Sequence, residues 1–139
     1  VIGIVELVLM IIALVSLIVG AVGIMNTMYT SVLERTRQIG IMKAIGASSD
    51  AILSFFLLES GLIGVVGGLL GIILGITAAY ALGVVAGGFG VRGLFSFESL
   101  DFFGFFIILA ITFITGIVSG ILPARQAAKL EPAEALRYE

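Results

Sequence analysis

Residues 7–33 read LVLMIIALVSLIVGAVGIMNTMYTSVL, a run of 27 residues without a charged side chain. As a helix, this run would be about 40 Å long, which exceeds the thickness of the hydrocarbon core of a bilayer. Two further charge-free runs, of 32 and 23 residues, lie at 60–91 and 102–124. None alternates polar and apolar residues as a membrane β-strand does. The sequence therefore predicts one all-α integral membrane domain over residues 1–139, with three transmembrane helices at about 5–33, 51–86 and 102–122.

The composition of the whole chain agrees with this class and excludes several others. Of the 139 residues, 60% are hydrophobic and 12% are charged, whereas soluble domains are nearer half apolar and a quarter charged. The chain has no Cys and no His, so it lacks thiolate chemistry, the commonest general base and the commonest transition-metal ligand. It also has no GxxxxGK[ST] phosphate-binding loop. We therefore expect no catalytic residues, no bound cofactor or metal and, with a net charge of −2, no nucleic-acid partner.

The positions of the basic residues predict how the chain is oriented in the membrane. Six of the seven Lys and Arg residues lie in two segments, 34–50 and 123–139. The loop between the second and third spans contains only Arg92. By the positive-inside rule both basic segments are cytoplasmic, so the start of the chain is extracytoplasmic.

The segment between the first two spans, residues 34–46, reads ERTRQIGIMKAIG. Ile39, Met42 and Ile45 recur at a helical spacing, which predicts a short amphipathic helix at about 35–46. Gly46 is the expected residue just past its end. Such a helix can lie on a lipid surface or dock on a protein, and the spacing alone leaves both alternatives open.

Small residues form rows on the second and third spans. The second span has five glycines at alternating steps of three and four, which puts them on one stripe; they are Gly61, Gly64, Gly68, Gly71 and Gly75. The third span has a shorter row consisting of Thr112, Gly116 and Gly120. Small residues allow close approach of helix backbones in lipid, so both rows are predicted helix-packing faces.

Glu59 and the two prolines are the remaining residues of interest near the spans. Glu59 precedes the glycine stripe, and it lies either at headgroup level or within reach of a pairing partner on another helix. Pro123 is expected to kink or stop the third span, after which 123–139 forms a cytoplasmic tail. Pro132 fits the first position of a last short helix, with Glu134 in its first turn.

Two long motifs together resemble a known family. The sequence GIMNTM at 23–28, followed by ERTRQIGIMKAIGA at 34–47, resembles the span exit and coupling helix of MacB/FtsX-type ABC transporter permeases. The sequence LPARQAAKLEPAEALR at 122–137 is similar to the C-terminal signature of the same family. Glu59 with its glycine stripe is similar to the third span of that family, and the likeness is closest to the MacB-like branch.

The resemblance implies a four-span permease with a large extracytoplasmic domain after its first span, so this chain would contain spans two to four. It also implies a homodimer in the lipid bilayer, an ABC nucleotide-binding subunit that holds ATP and Mg, and mechanical transmission of ATP-driven motion to export or extract a substrate. It leaves further extracytoplasmic components open as partners. The expected coupling-helix residues are Glu34, Arg35, Arg37, Ile39, Gly40, Ile41, Met42, Lys43, Ile45 and Gly46.

Within this coupling helix, each residue type has an expected role. Ile39, Met42 and Ile45 would anchor in a pocket of the partner, and three cations (Arg35, Arg37 and Lys43) would orient it at the rim. Gly40 would allow close approach of the partner's backbone. The alternatives are a passive membrane scaffold and a small helical channel, although a channel needs a polar lining that these spans lack.

Overall fold

The computed structural model describes residues 2–88 and 102–131, and these residues form four α-helices. The helices are α1 (Ile2–Glu34), α2 (Thr36–Ala44), α3 (Ser49–Gly88) and α4 (Phe102–Lys129). Helices α1, α3 and α4 are each long and apolar enough to cross a membrane. The predicted fold class, an all-α membrane protein with three candidate spans and one short helix, is confirmed. The predicted short helix around Pro132 and most of the loop at 87–101 lie outside the described residues.

Helix α4 continues past the point where the sequence predicts its end. The sequence predicts a kink or a stop at Pro123, and the stop is wrong because the helix runs on through Pro123 to Lys129. Proline removes one backbone hydrogen bond from a helix interior, which disfavours helix at this position. Here Pro123 is buried, and so are the next residue, Ala124, and Ala127 one turn later. Packing of this alanine face on the other helices therefore outweighs the local preference, and the first part of the predicted tail is helical.

The ends of α2 and the start of α3 follow from local hydrogen bonds. Gly46 has a φ of +105°, a conformation that side chains disfavour. Its N–H donates to Lys43 O at 3.0 Å, and the N–H of Ala47 donates to Met42 O at 2.9 Å. These two bonds form a Schellman motif, which ends α2. Ser48 then caps α3, because its Oγ accepts from the N–H of Ala51 at 3.2 Å.

Helices α3 and α4 pack closely through the small residues of both. A Cβ on Gly64 would collide with the carbonyl of Thr112, and a Cβ on Gly116 would collide with the carbonyl of Ser60. A Cβ on Gly61 would lie 2.6 Å from the ring of Phe113. The backbones therefore touch where both helices present small residues, as expected for packing in lipid. Gly68 and Gly120 lie in the same contact, against Thr112 and Ser60 respectively.

The five-glycine stripe of α3 divides into two groups. A Cβ at Gly71 or Gly75 would meet no atom within 4 Å beyond its own stretch of helix, so neither glycine makes a close helix contact within the described chain. They line an apolar cavity of about 650 Å³ between α1, α3 and α4, opposite Phe105 and Ile108. The small-residue row of α4 has ended by this level, and these bulky side chains occupy its place. Close approach requires small residues on both helices, which explains the division.

The main hydrophobic core lies at the end of the bundle where α2 is found, called here the α2 end. Buried side chains from all four helices meet there, namely Met28, Val32, Ile39, Ile52, Phe56, Ala124 and Ala127. In contrast, α1 is exposed on all sides from Gly3 to Val19. It packs mainly on α4 and only slightly on α3. The bundle is therefore tightly packed at the α2 end, whereas the opposite half of α1 has no buried side chain from Gly3 to Val19.

Candidate functional site

The short helix α2 has an inner face that packs on the other helices of its own chain. Ile39 is completely buried and belongs to the core shared by α1, α3 and α4. Gly40 is also buried, and Thr36 and Lys43 are partly buried. The spacing of these four residues matches one stripe of a helix. The core thus fixes which side of α2 faces away from the protein.

The outer face of α2 carries two exposed isoleucines one helical turn apart. Ile41 is 46% exposed and Ile45 is 81% exposed. Arg37 lies one turn before Ile41 and is exposed as well. Met42 lies at the edge of this surface, being exposed but less so than the isoleucines. We call Arg37, Ile41, Met42 and Ile45 the outer surface of α2.

The structure reassigns two of the residues predicted to face a partner, the anchor Ile39 and the close-approach residue Gly40. The i, i+3, i+6 spacing grouped Ile39 with Met42 and Ile45 on one partner-facing side, but Ile39 is buried in the core of its own chain. Gly40 is buried too, so it is not available to the backbone of a partner. The error has a physical cause. A helix with apolar residues on two sides has two candidate buried faces, and only the other helices show which one is covered.

The predicted rim cations also differ in their surroundings. Nζ of Lys43 donates to the carbonyl O of Ala128 at 2.6 Å, so this ammonium group caps the last turn of α4. Such a contact is favourable because the carbonyls at a helix C-terminus are unpaired and carry partial negative charge. Nη1 of Arg35 lies 3.2 Å from Oε1 of Glu59 on α3. Arg35 and Lys43 therefore bind their own chain, and Arg37 remains at the exposed surface.

Glu59, for which the sequence left headgroup-level and paired positions open, has a partner in the structure. Its Oε1 accepts from Arg35, whereas its Oε2 is buried and makes no hydrogen bond among the described residues. The pair lines a cavity of about 460 Å³ together with Asn26, Thr27 and Ser31. Neither this pair nor the Lys43 bond was predicted, because each joins residues from helices distant in sequence.

The sequence matches the FtsX-like permease C-terminal family over residues 10–132. This match covers all of α1–α4 except the first turns of α1, together with the segments that join them. It therefore includes the α2 helix, the Arg35–Glu59 pair and the α3–α4 glycine contact.

Similar curated proteins are ABC transporter permeases. The chain is 42% identical to the uncharacterized ABC transporter permease MJ1507 of Methanocaldococcus jannaschii, with 100% of this chain and 34% of that protein aligned. It is 44% identical to the uncharacterized ABC transporter permease YknZ of Bacillus subtilis, over 92% of this chain and 30% of that protein. It is also 44% identical to the macrolide export ATP-binding/permease protein MacB of Agrobacterium fabrum, over 90% of this chain and 18% of that protein. The chain thus spans about a third or less of these relatives.

Proposed function

Since this chain belongs to the FtsX-like permease family of ABC transporters, we propose that it couples ATP hydrolysis by a nucleotide-binding partner to mechanical motion. The motion would serve export or extraction of a substrate on the extracytoplasmic side of the membrane. In this proposal the α2 end is cytoplasmic, because all five Lys and Arg residues of the described chain lie there.

The observation that carries the proposal is the outer surface of α2. Ile41 and Ile45 are exposed on a helix whose opposite face is fixed in the hydrophobic core by Ile39. A short helix in a partner's groove contributes binding energy through a few apolar anchors. Because the inner face of α2 is packed in the core, a force applied to Ile41 and Ile45 would move the bundle rather than bend a loop. Arg37 at the same surface would orient the partner electrostatically.

The lining of the cavity between α1, α3 and α4 favours a mechanical role for the protein over passage of a solute through it. Its lining is mainly glycine and apolar side chains, with polar groups only from Ser16, Thr112 and Thr115 among the described residues. Two of those hydroxyls donate to backbone carbonyls of their own helix, Thr112 to Leu109 and Thr115 to Ile111. A solute pathway would need polar groups free to replace the solute's hydration shell. The alternative of a small helical channel is therefore less well supported than a mechanical role.

The partner in this proposal supplies the ATP and Mg chemistry. The Agrobacterium relative is described as an ATP-binding/permease protein, so both functions reside in one chain there. This sequence contains no phosphate-binding loop, so we propose that ATP and Mg bind an ATP-binding domain or subunit that docks at the α2 end. We also propose that two permease copies pair in the lipid bilayer and present two α2 surfaces to the ATPase.

The test replaces an anchor in the full-length permease with a charged residue. Burying one isoleucine side chain is worth about 1.5–3 kcal/mol, so Ile41→Asp or Ile45→Asp should weaken the complex at least about tenfold. The measurement is co-purification of the ATP-binding partner after solubilisation, or, for a fused chain, binding of a separately expressed ATP-binding domain to the permease region. Membrane insertion and dimerisation of each variant are checked first.

The matched control is Ser48→Asp. It adds the same charge close to α2 but retains the helix cap, because aspartate caps a helix as well as serine does. We expect normal partner binding for this control. A lipid-surface role for α2 would leave partner binding intact in the isoleucine variants, and this result would refute the coupling assignment.

A further inference from the structure

The junction between α1 and α2 is a single residue, Arg35. Its backbone has φ −101° and ψ 10°, and the hydrogen-bond ladder continues across it. Its N–H donates to Ser31 O at 3.1 Å, and its carbonyl accepts from the N–H of Ile39 at 3.0 Å. The two helices are thus connected without a flexible loop. Any displacement of α2 would therefore also displace this junction.

The side chain of Arg35 connects this junction to α3. Nη1 of Arg35 lies 3.2 Å from Oε1 of Glu59, with 44% and 28% of the two side chains exposed. Oε2 of Glu59 is buried without a hydrogen-bond partner among the described residues. Its carboxylate therefore depends on Arg35 for compensation, because a half-buried charge without its partner is costly. The pair is in a more constrained setting than an ordinary surface ion pair, whose contribution is small.

The packing of the helices around the Arg35–Glu59 pair suits this pair to transmitting force between them. Helix α1 packs chiefly on α4 and only slightly on α3. At the other end of α2, Lys43 bonds to the carbonyl of Ala128 in the last turn of α4. The two ends of the α2 segment are therefore bonded to two different helices, α3 through Arg35 and α4 through Lys43. A push on the outer surface of α2 would reach both.

We propose that the Arg35–Glu59 pair is a mechanical link that transmits displacement of α2 to α3. This inference rests on the proposed function, because it concerns how ATP-driven motion leaves the docking helix. Arg35 and Glu59 act as positioning residues, and neither contacts ATP or a transported substrate in this scheme. Loss of this link should reduce the ATP-induced movement at the ends of the spans farthest from α2. Docking of the ATP-binding partner should be retained.

The experiment measures motion at the end of the bundle opposite α2. Cysteines replace Leu9 on α1 and Ala78 on α3, both exposed and both far along their helices from α2. The full-length permease with its ATP-binding domain or subunit, freed of other cysteines, is spin-labelled in phospholipid nanodiscs. The distance between the labels is measured without nucleotide and with ATP–Mg trapped by vanadate. ATPase rate and partner retention are recorded on the same samples.

Single replacements and a charge swap test the bond itself. Arg35→Met and Glu59→Met remove one partner each, and both should reduce the ATP-induced distance change at least twofold. ATP-binding partner retention should stay normal in both variants. The swap of Arg35→Glu with Glu59→Arg should restore the change, which a general loss of stability would not allow. Asn26→Ala is the matched control, since Asn26 lines the same cavity without bonding to the pair.

Each remaining outcome has a definite meaning. If the permease with an intact Arg35–Glu59 pair shows no ATP-induced change, the proposed mechanical function fails and the link fails with it. If that permease responds and the single variants respond equally, the link alone is refuted. Loss of partner retention in the single variants would place the pair in the docking surface instead. If the single variants lose the ATP-induced distance change and the charge swap does not restore it, Arg35 and Glu59 have separate structural roles. Both of these results also refute the link.

Discussion

The contact between Gly64 and the carbonyl of Thr112 shows how little space separates α3 from α4. A methyl group added at Gly64 would overlap a backbone atom, which cannot rotate away as a flexible side chain can. Gly67, one turn before Gly71 on the same helix, has no heavy atom within 4 Å of a built Cβ. Two glycines three residues apart therefore have opposite tolerance for the same change.

This difference predicts the effect of two alanine substitutions. Gly64→Ala should destabilise the protein by about 1–3 kcal/mol, the usual range for overpacking a tight interior. Gly67→Ala should leave stability unchanged or raise it by up to about 1 kcal/mol, since alanine favours helix. Thermal unfolding of both variants in detergent, followed by loss of the monodisperse species, compares them. Equal losses of stability would show that α3 and α4 are not in close contact at Gly64.

A second single-residue prediction concerns the end of α2. Gly46 adopts φ +105°, so Gly46→Ala should cost about 1 kcal/mol through strain in the Schellman motif. Gly20→Ala is the control, because Gly20 lies inside α1 with open space around a built Cβ. The measurement is the thermal midpoint of each variant. A Gly46→Ala protein at least as stable as the Gly20→Ala protein would contradict the positive φ.

At the scale of the element, the nine residues of α2 and its C-cap residue Ile45 combine two apolar faces. The inner face belongs to the fold, because Ile39 fills a core made of residues from three other helices. The outer face makes no such contribution, because Ile41 and Ile45 are exposed. Stability and partner binding should therefore be separable by substitutions only two residues apart.

The corresponding prediction compares Ile39→Ala with Ile41→Ala. Truncating the buried Ile39 should destabilise the fold by about 2–5 kcal/mol, through lost burial and the cavity that remains. Truncating the exposed Ile41 should change stability by less than about 0.5 kcal/mol and should weaken docking of the ATP-binding partner. Denaturant-dependent unfolding and partner co-purification are measured on both variants. Unfolding at the same denaturant concentration for both would refute the two-face assignment.

At the scale of the whole molecule, the bundle is packed unevenly along its length. The buried core from four helices lies at the α2 end, and α1 has no buried residue between Gly3 and Val19. This asymmetry suits a device that receives force at one end and moves at the other. The mechanical proposal also requires the α2 end to face the cytoplasm.

Orientation is tested with single cysteines in this Cys-free region. Ser48→Cys, next to α2, should react with a membrane-impermeant thiol reagent only after the cells are opened. Ser96→Cys, in the segment between the second and third spans, should react in intact cells. Any other cysteines of the full-length protein are replaced first. Labelling of the Ser48 position in intact cells would reverse the orientation and exclude a cytoplasmic ATPase at α2.

The sequence by itself determined the helices, because charge-free runs of 23 to 32 residues have few stable structures in lipid other than a helix. It also determined the end of α2 at Gly46, since this depends on local backbone chemistry. The tertiary structure decided the course of α4 through Pro123, where burial outweighs a missing backbone hydrogen bond. It also decided that Ile39 faces the core, and it formed the pairs of Arg35 with Glu59 and of Lys43 with Ala128. These features depend on contacts between helices distant in sequence, which no local pattern encodes.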